Sequence, residues 1–175
     1  MPRFSLADLE HASSTWGCNC GPAAIAAIAG LTLDEVRPHM GAGWPGYTNP
    51  TCMFAALHSV GRPWSSIGVG FRSCTTWPGY GLCRIQWEGP WTQPGVPMRA
   101  RYRQTHWVGA QHGTPPTNIG IFDVNCVHQA AGSGWVSLAD WSTKIVPWLL
   151  ESYPRANGGW HITHAIEVER PGAAP

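Results

Sequence analysis

The stretch GCNCGPAAIAAIAG, residues 17–30, is the strongest constraint on this chain. It sets Cys18 and Cys20 one residue apart in front of a run that reads as helix. A helix start leaves backbone N–H groups unpaired and carries the positive end of the macrodipole, and both favour a thiolate over a thiol. Pro22 suits the first turn, where its missing N–H removes no hydrogen bond. Cys20 therefore falls at the helix mouth, where its sulfur can face a cleft, and Cys18 falls in the loop before it.

Beyond this helix the chain has two characters. Thr32 and Glu35 stand at capping-box spacing, which predicts a short helix from Leu33, and TCMFAALHSVG (51–61) predicts another. GAGWPGYTNP between them reads as loop. The segments SSIGVGF, GLCRIQW, RARYRQTHWVGAQ, NIGIFDVN and GGWHITHAIEVER are rich in β-branched and aromatic residues and bounded by Gly and Pro, so they predict strands of an antiparallel sheet. GTPPTN (113–118) is a turn between two of them. Ser137 and Asp140 open SLADWSTKIVPWLLESY as a helix interrupted near Pro147. Helices first and a sheet afterwards predict an α+β fold, as a single domain over 1–170 with a loose tail at 171–175.

Composition narrows the function classes. Only 12% of residues are charged and the net charge is +1, so no surface asks for a polyanion, which argues against nucleic acid as partner. No window approaches the roughly 20 apolar residues that cross a bilayer, and MPRFSLADLEHASSTWG lacks a secretory apolar stretch. These features predict no membrane partner and a reducing, cytoplasmic setting in which Cys18, Cys20, Cys52, Cys74, Cys83 and Cys126 are mostly thiols. The eleven tryptophans should fill the core or a cleft wall. A zinc site from Cys18, Cys20, His161 and His164 has unusual cysteine spacing and puts its histidines on opposite faces of a strand, so no metal or other cofactor is expected.

Nucleophilic thiol chemistry needs a base to hold the proton and a third group to orient the base. His106 is the candidate base. On a regular strand it shares a face with Gln104, Val108 and Ala110, while Arg101, Arg103, Thr105 and Trp107 share the other, so a stripe of Arg99, Arg101 and Arg103 should point away from the site. The orienting group should come from NIGIFDVN, where a hairpin brings Asp123 beside His106 with Asn125 on the same face. Asp123 and Asn125 both stand as candidates.

The order Cys, His, Asp/Asn, with the cysteine opening a helix and the others on successive strands, resembles the papain-like cysteine peptidase superfamily. The word NCGPAAIAAIAG is similar to the branch of double-glycine-leader peptidases that process bacteriocins, and LTLDEVR, THWVG, IGIFDVN and GSGWVSLADW extend the likeness over about residues 14–168. The resemblance implies a Cys20–His106–Asp123 triad. Three positions depart from the pattern. Ser14 stands where the family carries an oxyanion-binding Gln, Asn19 replaces an acidic residue, and Val124 replaces a Pro. The implied oxyanion donors are then the Cys20 N–H with Asn19, Ser14 or the Trp16 indole. The resemblance implies thiol-dependent acyl transfer on a peptide, protein or small amide, by hydrolysis or transfer to an amine. The alternative it leaves is an inactive papain-like domain that binds a peptide or protein.

Overall fold

The structure, a computed structural model, describes residues 2–41, 44, 46–115, 117–128 and 133–172. Pro116 of the expected turn, Gly132 of GSGWVSLADW, residues 173–175 of the tail and the side chain of Arg99 lie outside the described residues. The helical part comprises α1 (Leu6–Trp16), α2 (Cys20–Ala29), α3 (Leu33–Val36), which runs on as a 3₁₀ turn, and α4 (Pro50–Ser59). Then follow β1 (Trp64–Cys74), β2 (Tyr80–Trp87), the short α5 (Met98–Arg101), β3 (Thr105–His112), β4 (Ile119–Phe122), β5 (Trp135–Ser137), α6 (Leu138–Asp140), α7 (Val146–Leu150) and β6 (Trp160–Val168). The strands form one antiparallel sheet in the order β1-β6-β2-β3-β4-β5. The fold is α+β, as the segregation of helical and strand signals implies.

Local chemistry sets the element ends. Ser5 caps α1: its Oγ accepts from the Asp8 N–H, and the Asp8 carboxylate accepts from the Ser5 N–H at 2.8 Å. This capping box, with Asp in place of the commoner Glu, is a signal that sequence reading passed over. Asn19 caps α2, its Oδ1 accepting from the Gly21 N–H at 3.1 Å, and Gly30 closes the helix in the left-handed conformation at φ 70°. Every residue from Gly21 to Ala29 is buried. A helix apolar on all sides belongs inside, and here its small side chains let other elements approach from every direction.

Two cores result, one on each face of the sheet. Ile25 and Ile28 of α2 pack with Met53, Leu57, Leu82, Trp107, Phe122 and Ile166 on the helical face. Cys83, Ile85, Val108, Ile121 and Ala165 point the other way, under Trp141, Ile145 and Val146. The alternation Leu82/Cys83, Trp107/Val108 and Ile121/Phe122 is the period of two expected of strands buried on both faces. The segment covering the second face begins at the Ser137 cap and widens into a π turn at Trp141–Ile145, where the Val146 N–H bonds the Trp141 carbonyl. Pro147 then sits in the first turn of α7.

One strand is shorter than its sequence suggests. RARYRQTHWVGAQ enters the sheet only at Thr105, because Pro97 starts a helical turn in which the Ala100 N–H bonds the Pro97 carbonyl. The expected arginine stripe on a strand face is therefore corrected. Arg101 lies in α5 with its Nε donating to the Val96 carbonyl, and Arg103 is exposed ahead of β3. β5 is a second difference: Trp135–Ser137 reads as a turn and cap in sequence but pairs with β4.

The pairing of β2 with β6 admits no side chain at Gly81, where a Cβ would come 1.9 Å from the Ile166 carbonyl oxygen. Gly81→Ala is expected to cost about 3 kcal/mol and lower Tm by roughly 6–12 °C, read by thermal unfolding.

Candidate active site

Three elements bring the site together. Cys20 opens α2 and its sulfur meets the His106 imidazole, which β3 presents from the sheet. Asp123 follows β4 directly, and its carboxylate accepts from His106 Nε2 at 2.9 Å. With Nε2 committed to Asp123, Nδ1 is the ring nitrogen left for the thiol. The backbone N–H of Trp107, next in β3, also favours the Cys20 thiolate. Thr48 fixes α2 against β3: its carbonyl accepts from the Trp107 indole at 2.8 Å and its Oγ1 donates to Asn19 Oδ1 at 3.2 Å. A Cβ at Gly21 would lie 2.5 Å from the Thr48 side chain, which explains the glycine after the cysteine.

Asp123 is wholly buried, so its charge requires a full set of donors. Oδ2 accepts from His106 Nε2 and from Trp141 Nε1 at 2.8 Å; Oδ1 accepts from the Asn125 backbone N–H and side-chain Nδ2, both at 2.9 Å. Trp87 stacks on the imidazole with ring centroids 5.8 Å apart, and Trp141 stacks behind Trp87 at 6.2 Å. The indoles exclude water from the His106–Asp123 pair and strengthen it.

The electrostatics favour a thiolate–imidazolium pair. Burial pushes the Cys20 thiol up, but the adjacent His106 charge, its hydrogen bond and the Trp107 N–H outweigh it, and the net direction is down. Burial lowers His106, while the Asp123 carboxylate and the Cys20 thiolate raise it further, to well above its ordinary value. Burial raises Asp123, and His106, Trp141 and Asn125 together bring it below its ordinary value. Cys18, by contrast, is pushed up to about 12 by burial and by its neighbour Cys20, so it stays a thiol. The linkage signs follow. Stability from Asp123 is present above about pH 4 and is lost as pH falls through its lowered native value. Stability from His106 is full below about pH 6.5 and is lost as pH rises through its raised native value.

Cys20 and His106 open into a cavity of about 380 Å³ lined by Leu9, Ser13, Cys18, Asn19, Trp87, Val124, Asn125, Leu149, Ser152 and Tyr153. Apart from Cys20 and His106 themselves, no ionisable Asp, Glu, Lys or Arg side chain borders it. Cys20, His106 and Asp123 thus meet as the sequence order suggests. Asn125 does not touch the imidazole; it holds the far oxygen of Asp123. Asn19 borders the cavity, but its Oδ1 caps α2 and its Nδ2 donates to the Gly46 carbonyl at 3.3 Å.

Ser14 and Trp16 are corrections. The Ser14 hydroxyl turns back to the His11 carbonyl at 2.9 Å, and Trp16 is buried against Trp44; neither borders the cavity. On a helix, one residue of register turns a side chain by about 100° away from the cleft. His161 bonds Glu88 and His164 bonds Thr163, and among the described residues these histidines form no metal-holding group with Cys18 and Cys20. Trp141 and Trp87 were missed as site residues, because a tryptophan in a strand or helix carries no sequence mark of what its ring touches. Comparison with family models, with curated proteins and with solved structures gives no match.

Cys20 is expected to react with iodoacetamide at a pH well below the ordinary thiol range near 8.5, with Cys18 unmodified under the same conditions. In His106→Ala the burial of Cys20 loses its main opposing charge, and its reactivity should move to higher pH. Asp123→Asn removes the carboxylate that supports the imidazolium, so the pH at which His106 loses its proton should fall. Both effects are read from pH-dependent alkylation followed by peptide mapping.

Proposed function

We propose that this chain is a papain-like, cysteine-dependent acyl-transfer enzyme, a hydrolase of the peptidase or amidase type or an amide-forming transferase. Its substrate is a peptide, protein or small amide. The observation that carries this reading is the His106 imidazole held by the buried Asp123, with Cys20 beside it on the same cavity. An imidazole oriented by a carboxylate on one side and set beside a cysteine on the other is the arrangement that nucleophilic thiol catalysis requires.

The chemistry follows from the atoms. The Cys20 thiolate attacks the carbonyl carbon, and the carbonyl π electrons move to oxygen, which the Cys20 backbone N–H at the start of α2 can bind. The His106 imidazolium gives its proton to the departing amine as the C–N bond breaks, leaving a thioester on Cys20. The neutral imidazole then takes a proton from water, or from an acceptor amine, as that nucleophile attacks the thioester. The thiolate is released and the pair restored. No redox step and no cofactor enters. A cavity without charged side chains other than the Cys20–His106 pair suits an uncharged segment at the reacting carbonyl.

The test uses p-nitrophenyl acetate as a generic acyl donor. One acetyl group per chain is expected on Cys20 by intact mass and peptide mapping, with none in Cys20→Ala and acylation at least about 100-fold slower in His106→Ala. Acylation retained by Cys20→Ala overturns the proposal. A wild-type rate no faster than that of a free thiol favours the binding-module alternative.

A further inference from the structure

The family glutamine that binds the oxyanion is absent, and the residue at its position, Ser14, faces away from the cleft. We infer that the hydroxyl of Ser13 supplies the second oxyanion donor, beside the backbone N–H of Cys20. This inference rests on the acyl-transfer reading above.

The argument starts from three consecutive hydroxyl residues on α1, Ser13, Ser14 and Thr15. Ser14 and Thr15 both donate to the His11 carbonyl, at 2.9 and 2.7 Å. Ser13 makes no side-chain hydrogen bond among the described residues, and it borders the cavity that holds Cys20 and His106. Leu9, one turn earlier on the same face of α1, borders it too, so this helix presents one stripe to the cleft with Ser13 as its polar group.

The other polar groups around the cavity are committed or stand on another wall. Asn19 Nδ2 is held by the Gly46 carbonyl and Asn125 Nδ2 by Asp123. Leu149 and Tyr153 pack with the second core, on the same side as Trp87, whose ring covers the imidazole, whereas Leu9 packs with the first core, as Cys20 does. In the tetrahedral adduct the leaving group must lie towards the proton on His106. The oxyanion, bound to the same carbon, is directed away from the imidazole, towards the wall made by α1 and the start of α2. Ser13 is the free donor on that wall, and a donor already placed where charge develops stabilises that charge without reorganisation.

The experiment compares two reactions of the same thiolate. Acylation by p-nitrophenyl acetate passes through an oxyanion; alkylation by iodoacetamide displaces iodide at a saturated carbon and forms none. Ser13→Ala is expected to slow acylation about 10- to 100-fold while alkylation stays within about twofold of wild type. Ser13→Thr, which keeps the hydroxyl, should recover most of the acylation rate, and Ser14→Ala should leave both reactions unchanged. Equal acylation rates in wild type and Ser13→Ala overturn the inference. So does a parallel fall in both reactions, which would mean that Ser13 supports the thiolate rather than the oxyanion. A wild-type protein that alkylates readily at low pH but is not acylated overturns the acyl-transfer reading itself, and Ser13's role with it.

Discussion

The burial of α2 on every side governs the rest of the molecule. A ten-residue helix of Cys, Gly, Pro, Ala and Ile has no charged or amide side chain to offer solvent, so the chain must surround it: α1, α3 and α4 on one side, β2 and β3 on the other. Its small side chains allow close approach, as where Ile28 meets the backbone of Gly109. Once the helix is seated, its first residue has little freedom. Thr48 fills the space above Gly21 and bonds both the Asn19 cap and the Trp107 indole, so the start of the helix is tied to the strand that carries His106. The packing of an apolar helix thus determines the position of a reactive sulfur.

The second constraint is electrostatic. A carboxylate with no solvent exposure sits where β4 ends, and its four hydrogen bonds come from three separate segments of chain. Loss of any one donor would leave part of a buried charge unpaired, so the network holds the imidazole as firmly as it holds itself. The stacked rings of Trp87 and Trp141 make the surroundings dry, which magnifies the attraction between Asp123, His106 and Cys20. Burial raises the cost of every charge in the site, and the mutual placement of the charges more than offsets it.

The cleft lies at the seam between the two cores, and this explains which residues could be found from sequence. Cys20 was legible because a helix mouth has local marks: the Asn19 cap, Pro22 and the run of small apolar residues. His106 and Asp123 were legible because a hairpin relates them by register, a local rule acting over 17 residues. The strand over 99–104 was misread because aromatic and basic composition imitates a strand, while the backbone turn after Pro97 depends on what α5 packs against. The α1 hydroxyl that borders the cavity is Ser13 and not Ser14, because the alignment of motif words does not set the rotation of α1 about its own axis. That rotation is decided by Ala12 and Trp16, which are buried in the first core.

The sequence by itself determined the α+β segregation, the ends of most elements, the thiol at the helix mouth and the order of cysteine, histidine and carboxylate. Each is written in local chemistry: caps, turn residues, and the periods of helix and strand. Only the tertiary structure decided which donors surround Asp123, which aromatic rings close over His106, and which hydroxyl of α1 faces the cavity. Those choices arise from contacts between segments far apart in the chain, where shape and desolvation select one packing. No short window of sequence records how distant side chains share the same space.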